Sequence, residues 1–244
     1  MTGAAMSHVM TPSDLERVRG EFPGRAIDYF ASIDSTMRAA EGRPAGYVVV
    51  AGEQTAGQGR HGHAWHSPAD SGLYCSLVLE PRPVLTLALG LATADAIAHA
   101  SGGVCDLRWP NDMMIGDKKV GGILVQLSGA IAIAGIGINL NQTAFPADLE
   151  GIATSLKTHA DAAGILIALL REVDRYTSES PENILRLFTR ASSYASGRRV
   201  RVDQADGAIE GTTAGLDPSG FLVVRKDDGT DTLIVAGGVR AAGS

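Results

Sequence analysis

"TAGQGRHGHAW", residues 55–65, sets Gly57, Gly59 and Gly62 around Arg60 and ends in Trp65. The glycines fit G-x-G-x-x-G, and Gly57 and Gly62 also have the spacing that opens a Walker A loop. The two readings dictate different folds, so the flanking sequence decides. A dinucleotide loop needs a strand before it and a helix opening at its end, where free N–H groups and the helix dipole meet the pyrophosphate. The apolar run YVVVAGE (47–53) supplies the strand. The run HAWHSPADSG (63–72) contains Pro68 and Gly72 and leads into another strand, so no helix starts there. Walker A fails because His63 and Ala64 stand where Lys and Ser/Thr are required. Two readings of the loop stay open: a ligand-free glycine hairpin, and an anion site of neither standard kind. Arg60 favours the second, since a guanidinium between glycines can meet an anion with two parallel donors.

Outward from the loop, short apolar or β-branched runs bounded by glycine read as strands: LYCSLVLE (73–80), VGGILVQL (120–127) and AIAIAGIGINL (130–140). Helical spacing appears over 84–100, 164–177 and 181–194, with Pro181 suited to a first helical turn. In SIDSTMRAAE (32–41), Asp34 or Ser35 precedes a run of good helix formers and reads as a cap. This alternation predicts an α/β domain over residues 26–196, preceded by a loosely ordered segment, 1–25. After Gly197 the pattern changes to four strand candidates, RRVRVDQ, AIEGTTAGL, FLVVRKDDG and TLIVAGGVR, with turns at DPSG and DDGT. Residues 197–244 are therefore expected to form a small β-barrel.

With 45% hydrophobic and 20% charged residues in 244, the chain can bury a sizeable core. A net charge of −6 argues against gripping a nucleic-acid backbone, which needs clustered cations. The apolar stretch 84–100 is cut by Asp95 and falls short of the ~20 residues a bilayer span takes. Cys75 and Cys105 are too few for a disulfide framework and have no C-x-x-C spacing. They read as buried thiols in a reducing compartment, so a cytoplasmic protein without DNA or membrane partners is expected.

Four further stretches occur in order around the loop: SIDST (32–36), LRWPND (107–112), KVGGILVQL (119–127) and GIGINLN (135–141). Each is weak alone. Together they resemble the biotin protein ligases, the biotin–[acetyl-CoA-carboxylase] ligases. The resemblance implies a mixed β-sheet with helices packed on one side, of the class II aminoacyl-tRNA-synthetase-like type, followed by an SH3-like barrel. It also implies a two-step reaction. Biotin and ATP, with Mg2+, give biotinyl-5′-AMP, and a lysine of a biotin carboxyl carrier protein domain of acetyl-CoA carboxylase or a related carboxylase accepts the biotinyl group.

In that light Arg60 and Lys119 are the candidate catalytic cations, because a carboxylate approaching a phosphate brings two anions together. Ser35, Thr36 and Gln54 match positions that read the ureido ring, whose carbonyl and N–H groups suit neutral donors and acceptors. Met37 stands where an asparagine is common and is expected to act through its backbone. Gln58, Gly59, Gly121 and Gly122 complete the biotin positions. His61, His63, Trp65, Asn111 and Asn139 match the adenylate positions, with Trp65 against adenine. Asp112 has two expected roles, holding Mg2+ or orienting Arg108. Plainer roles stand beside these: helix capping for Ser35 and Thr36, core packing for Trp65, a solvated turn for Lys119, and turns for Asn111, Asp112 and Asn139.

The loop departs from the family pattern. The pattern G-R-G-R-R-G-R reads G-Q-G-R-H-G-H here, with Gln58, His61 and His63 in place of three cations. Weaker, pH-dependent retention of the adenylate is the expectation. Only about 25 residues precede the catalytic region, which points to the short form without a DNA-binding domain. The resemblance leaves a monomer and a homodimer equally open. Lipoate–protein ligase is the nearest rival, but its R-R-x-S-G-G-G run is missing. A biotin-sequestering module is a rival of another class, against which Arg60 and Lys119 both speak.

Overall fold

The computed structural model describes residues 10–156, 161–204 and 207–242. A seven-stranded mixed sheet carries the fold. Its strands are β1 (Ile27–Phe30), β2 (Val48–Ala51), β3 (Gly72–Leu79), β4 (Asp106–Arg108), β5 (Asp112–Ile115), β6 (Lys118–Ser128) and β7 (Ile131–Asn139). They lie in the order β1-β2-β3-β7-β6-β5-β4, with β1 and β2 parallel and every other pair antiparallel. The long β6–β7 hairpin follows from two β-branched, glycine-bearing runs joined by a tight turn at Gly129, whose φ of 61° favours glycine.

The helices are α1 (Pro12–Glu21), α2 (Thr36–Ala40), α3 (Leu85–Ser101), α4 (Ala162–Thr177) and α5 (Pro181–Ala191). Strand alternation sorts the packing into two faces. Val48, Val50, Leu73, Cys75, Leu77, Ile136 and Ile138 point to α3 and α4 and form the main core. Val49, Val78 and Ile133 point the other way, against Met37 and Ala40 of α2. Four helices thus cover one face as expected, and the short α2 sits on the other. It leaves the rest of that second face to the glycine loop.

The segment expected to be loose contains α1. The physical reasons are a local cap and packing on a distant helix. Thr11 and Asp14 form a reciprocal capping box, Pro12 occupies the first turn, and Val18 is fully buried. Arg17 pairs with Asp161 at 2.6 Å and tethers the helix to the start of α4. Residues 1–9 of that segment lie outside the described residues.

The C-terminal part is a five-stranded antiparallel sheet of β8 (Ser196–Gln204), β9 (Gly207–Leu216), β10 (Leu222–Arg225), β11 (Asp231–Ile234) and β12 (Gly238–Ala241). Four strands were expected. The run TLIVAGGVR breaks at Gly237, whose φ of 135° is a glycine conformation, and gives two strands. These lie at opposite ends of the order β11-β10-β9-β8-β12, so among the described residues the sheet is open and not a closed barrel. The DPSG turn is capped by Asp217, which accepts from the N–H of Ser219 (3.0 Å) and Phe221 (2.7 Å). Trp109 of the larger sheet donates its indole N–H to the Gly220 carbonyl at 2.9 Å and ties the two parts together.

Candidate functional site

Three segments converge on the face that α2 leaves open: residues 55–67, the turn before β5, and the start of β6. The glycine loop is a hairpin, with Trp65 N–H donating to Gly57 O (2.9 Å) and Gly59 N–H to His63 O (2.7 Å). A β-carbon on Gly57 would lie 2.6 Å from Trp65 O, so only glycine permits this closure. Gln58 bridges to Ala64 across it. A single 3₁₀ turn at Arg60–Gly62 forms the tip, in which His61 has φ 55°. No α-helix follows, as the failed dinucleotide reading required. His61 and His63 are exposed, and Arg60 turns inward.

Arg60 Nη1 donates to Asn111 Oδ1 at 2.9 Å, while Asn111 Nδ2 donates to Ile123 O at 2.8 Å. Asn111 therefore fixes the arginine against β6. Burial pulls the Arg60 guanidinium below its ordinary value, and the Asp112 charge acts in the opposite direction. An arginine stays charged in a protein regardless. Lys119 Nζ pairs with Asp112 Oδ1 at 2.5 Å, and Arg108 Nη2 with Asp112 Oδ2 at 2.7 Å. Burial pushes the Asp112 carboxyl up, but the Lys119 and Arg108 charges and their hydrogen bonds outweigh it, so it titrates below its ordinary range. Both oxygens are thus taken by cations. This set fits the orienting role for Asp112 and does not fit a protein-held magnesium. Among the described residues no cluster of three or more His, Cys, Asp or Glu could hold a metal.

Trp65 lies across the sheet next to Lys119, whose Nζ sits 5.3 Å from the ring centroid. Its indole N–H is buried and has no partner among the described residues. The expected glycine pair divides here. Gly122 faces the cleft, where a β-carbon would meet Lys119 Cε (2.9 Å) and Trp65 Cζ3 (3.1 Å). Gly121 faces the other way, onto Met113 of the core, because neighbouring strand residues point to opposite faces.

The other end of the cleft is neutral. Gln54 Oε1 accepts from both the backbone N–H (2.9 Å) and the hydroxyl (3.0 Å) of Thr36, and Gln54 Nε2 donates to Ser67 Oγ (2.9 Å). Ser35 is the residue before α2, but its hydroxyl makes no capping bond. That hydroxyl is fully buried and has no partner among the described residues. Capping is therefore not what occupies it. Met37 is buried with its sulfur against Gly135. Asn139 donates to Thr154 O at 2.9 Å and holds the segment that pairs with Lys119.

Several contributors were not foreseen. Ser76 donates to Thr36 Oγ1 at 2.8 Å, and Ser67 completes the Gln54 chain. A polar residue in the apolar run LYCSLVL was the available signal for Ser76. Gly135 and Gly137 share a face of β7, and their i, i+2 spacing in AGIGI was the signal that this face must stay bare. Cys75 and Cys105 are free thiols, the first buried and the second partly so.

Known proteins give the same picture. Residues 29–142 match the Biotin/lipoate A/B protein ligase family and residues 195–239 the Biotin protein ligase C terminal domain. The chain is 33% identical to the Bifunctional ligase/repressor BirA of Bacillus subtilis, over 90% of this chain and 75% of that protein. It is 32% identical to the Biotin--[acetyl-CoA-carboxylase] ligase of Mycobacterium tuberculosis, over 93% of this chain and 94% of the relative. A biotin protein ligase from Aquifex aeolicus, solved in complex with biotin and ATP, superposes with a TM-score of 0.80 at 29% identity, covering 89% of this chain and 99% of that one. The order of motifs, the neutral and cationic ends of one cleft, and these likenesses agree: the chain belongs to the biotin protein ligase family.

Proposed function

We propose that the protein activates biotin with ATP as biotinyl-5′-AMP and transfers the biotinyl group to a lysine of a biotin carboxyl carrier protein. The observation that carries this reading is the division of one sheet face, on which α2 lies over Gly135 and the glycine loop over Gly137. Its neutral end holds the unpartnered Ser35 hydroxyl beside Thr36 and Gln54. Its cationic end holds Lys119 and Arg108 on the Asp112 carboxylate, with Arg60 held by the neighbouring Asn111. A ureido ring needs neutral donors and acceptors, and a phosphate needs cations.

The chemistry follows from that division. The biotin carboxylate attacks the α-phosphorus of ATP, an acyl-phosphate bond forms, and the bond to the β-phosphate breaks with loss of pyrophosphate. Arg60 and Lys119 offset the charge that gathers as two anions approach. The magnesium of MgATP arrives with the nucleotide and neutralises part of its phosphate charge. In the second step the neutral ε-amine of the acceptor lysine attacks the acyl carbon, an amide forms, and AMP leaves with the electron pair of the broken C–O bond. The attacking nitrogen loses a proton.

The free thiols support a reducing, cytoplasmic setting. No helix among the described residues is long and apolar enough to cross a membrane. The acceptor is proposed to be the carrier domain of acetyl-CoA carboxylase or a related carboxylase. The test is transfer: purified protein, biotin, MgATP and that carrier domain are incubated, and the domain is weighed intact. A gain equal to one biotinyl group at a single lysine supports the proposal, and an unmodified domain overturns it.

A further inference from the structure

The geometry points to Gly137 as a positioning residue for Trp65, and through it for the nucleotide half of the reaction. This inference rests on the function proposed above. Gly137 sits in β7, the middle strand of seven, with Tyr74 of β3 on one side and Gly122 of β6 on the other. A β-carbon at 137 would lie 2.8 Å from Trp65 Cζ2 and closer still to Nε1 and Cε2. Carbon atoms in good contact stand about 3.5–4.0 Å apart, so the indole and an alanine side chain cannot share this space. Gly122, directly across the ladder, leaves a similar gap beneath Cζ3 and beneath the Lys119 stem. The two glycines together form a notch without side chains, and the indole lies in it.

The indole is the part that must yield. Gly137 is held by ladders on both sides and cannot back away. The Trp65 backbone is pinned as well, by its N–H on Gly57 O (2.9 Å) and its carbonyl accepting from Ser67 Oγ (3.1 Å). Displacement therefore falls on the side-chain torsions of Trp65 and swings the ring off β7. That ring is the aromatic face proposed to meet adenine. Ser35 and Thr36 stand at the start of α2, and Gln54 follows β2 and reaches Trp65 through the Ser67 hydroxyl at the backbone carbonyl, not through the ring. Loss of the notch should weaken the nucleotide selectively.

The test compares the full-length protein with its Gly137→Ala variant, each also in a Trp65→Leu background. The readouts are near-ultraviolet circular dichroism without ligand, thermal melting, and pyrophosphate release with varied biotin and MgATP. The expected result is an altered indole band, with KM for MgATP raised about tenfold or more and KM for biotin within about threefold, the scale of one lost base–aromatic stack. The melting loss caused by Gly137→Ala should vanish in the Trp65→Leu background, where the clashing atoms are gone. An unchanged indole band, equal rises in both KM values, or the same melting loss in both backgrounds would overturn the inference. If Gly137→Ala alone fails to fold, recovery on adding Trp65→Leu supports the notch and continued misfolding overturns it. A wild-type protein that releases no pyrophosphate would defeat the proposed function. The dichroism and melting would still decide where Trp65 sits.

Discussion

Lys119 Nζ lies 2.5 Å from Asp112 Oδ1, and the other oxygen of that carboxylate holds Arg108 at 2.7 Å. A single acidic side chain thus holds and spaces two cations, one of which also lies beside the Trp65 ring. Asp112→Asn removes the charge and keeps the shape. Breaking a fully buried pair costs about 3–5 kcal/mol, and because Lys119 and Arg108 keep some solvent a loss of about 2–3 kcal/mol is expected by urea unfolding. Pyrophosphate release should fall in kcat with less change in the biotin KM.

The same carboxylate sets an acid limit. Its folded value is depressed by Lys119 and Arg108, so its stabilising contribution is complete above the unfolded value of about 3.9. It is lost as pH falls through the lower folded value. Wild type should therefore lose more stability than Asp112→Asn as pH drops from about 5 to below 3.9. Urea midpoints measured across that window check this, and parallel curves would contradict it.

Ser35 separates two roles that look alike from outside. A capping serine replaced by alanine costs about 0.5–2 kcal/mol of stability. The Ser35 hydroxyl makes no capping bond and is buried without a partner among the described residues. Ser35→Ala should leave the melting temperature nearly unchanged. Biotin binding by calorimetry should weaken about threefold to tenfold, the worth of one neutral hydrogen bond.

Arg60 is held by Asn111 at 2.9 Å above the cationic end of the cleft. Arg60→Gly removes a charged donor worth about 1.5–3 kcal/mol, so the acyl-adenylate should leave about ten- to a hundredfold faster. Escaped adenylate labels any exposed lysine. Biotinylation of an added bystander protein, read by streptavidin blot, should rise above wild type. No rise would contradict the holding role of Arg60.

The cysteines should be inert. Burial pushes the Cys75 thiol up to about 12, and burial with the Asp106 charge pushes Cys105 up to about 11. Alkylation needs the thiolate. At pH 8 iodoacetamide should leave Cys75 of the folded protein unlabelled and label Cys105 far more slowly than a free thiol, with activity retained through the treatment.

Much of this was legible in the sequence because the signals were local. The long strands announce themselves by apolar runs, α3 and α4 by helical spacing, and α5 also by Pro181. The glycine loop was assigned by what does not follow it. Misread features depended on information held elsewhere in the chain. Helix α1 has its own cap, but it also packs on α4 and buries Val18, and no window over residues 1–25 contains that packing. Gly121 and Gly122 look equivalent in sequence, and only the register against Met113 and Gly137 gives them opposite faces. Asp112 alone could hold a metal or a cation. Its position between Arg108 and Lys119, the latter seven residues after it in sequence and joined through a bulged pair of strands, pairs both its oxygens with cations.

The most direct measurement is pyrophosphate release with MgATP and biotin, beside lipoate and a control without acid, followed by intact mass spectrometry of the protein. Release that requires biotin, with biotinyl-5′-AMP retained in the cleft, is the predicted result. Release with lipoate instead, or tight biotin binding with no release, would contradict the account.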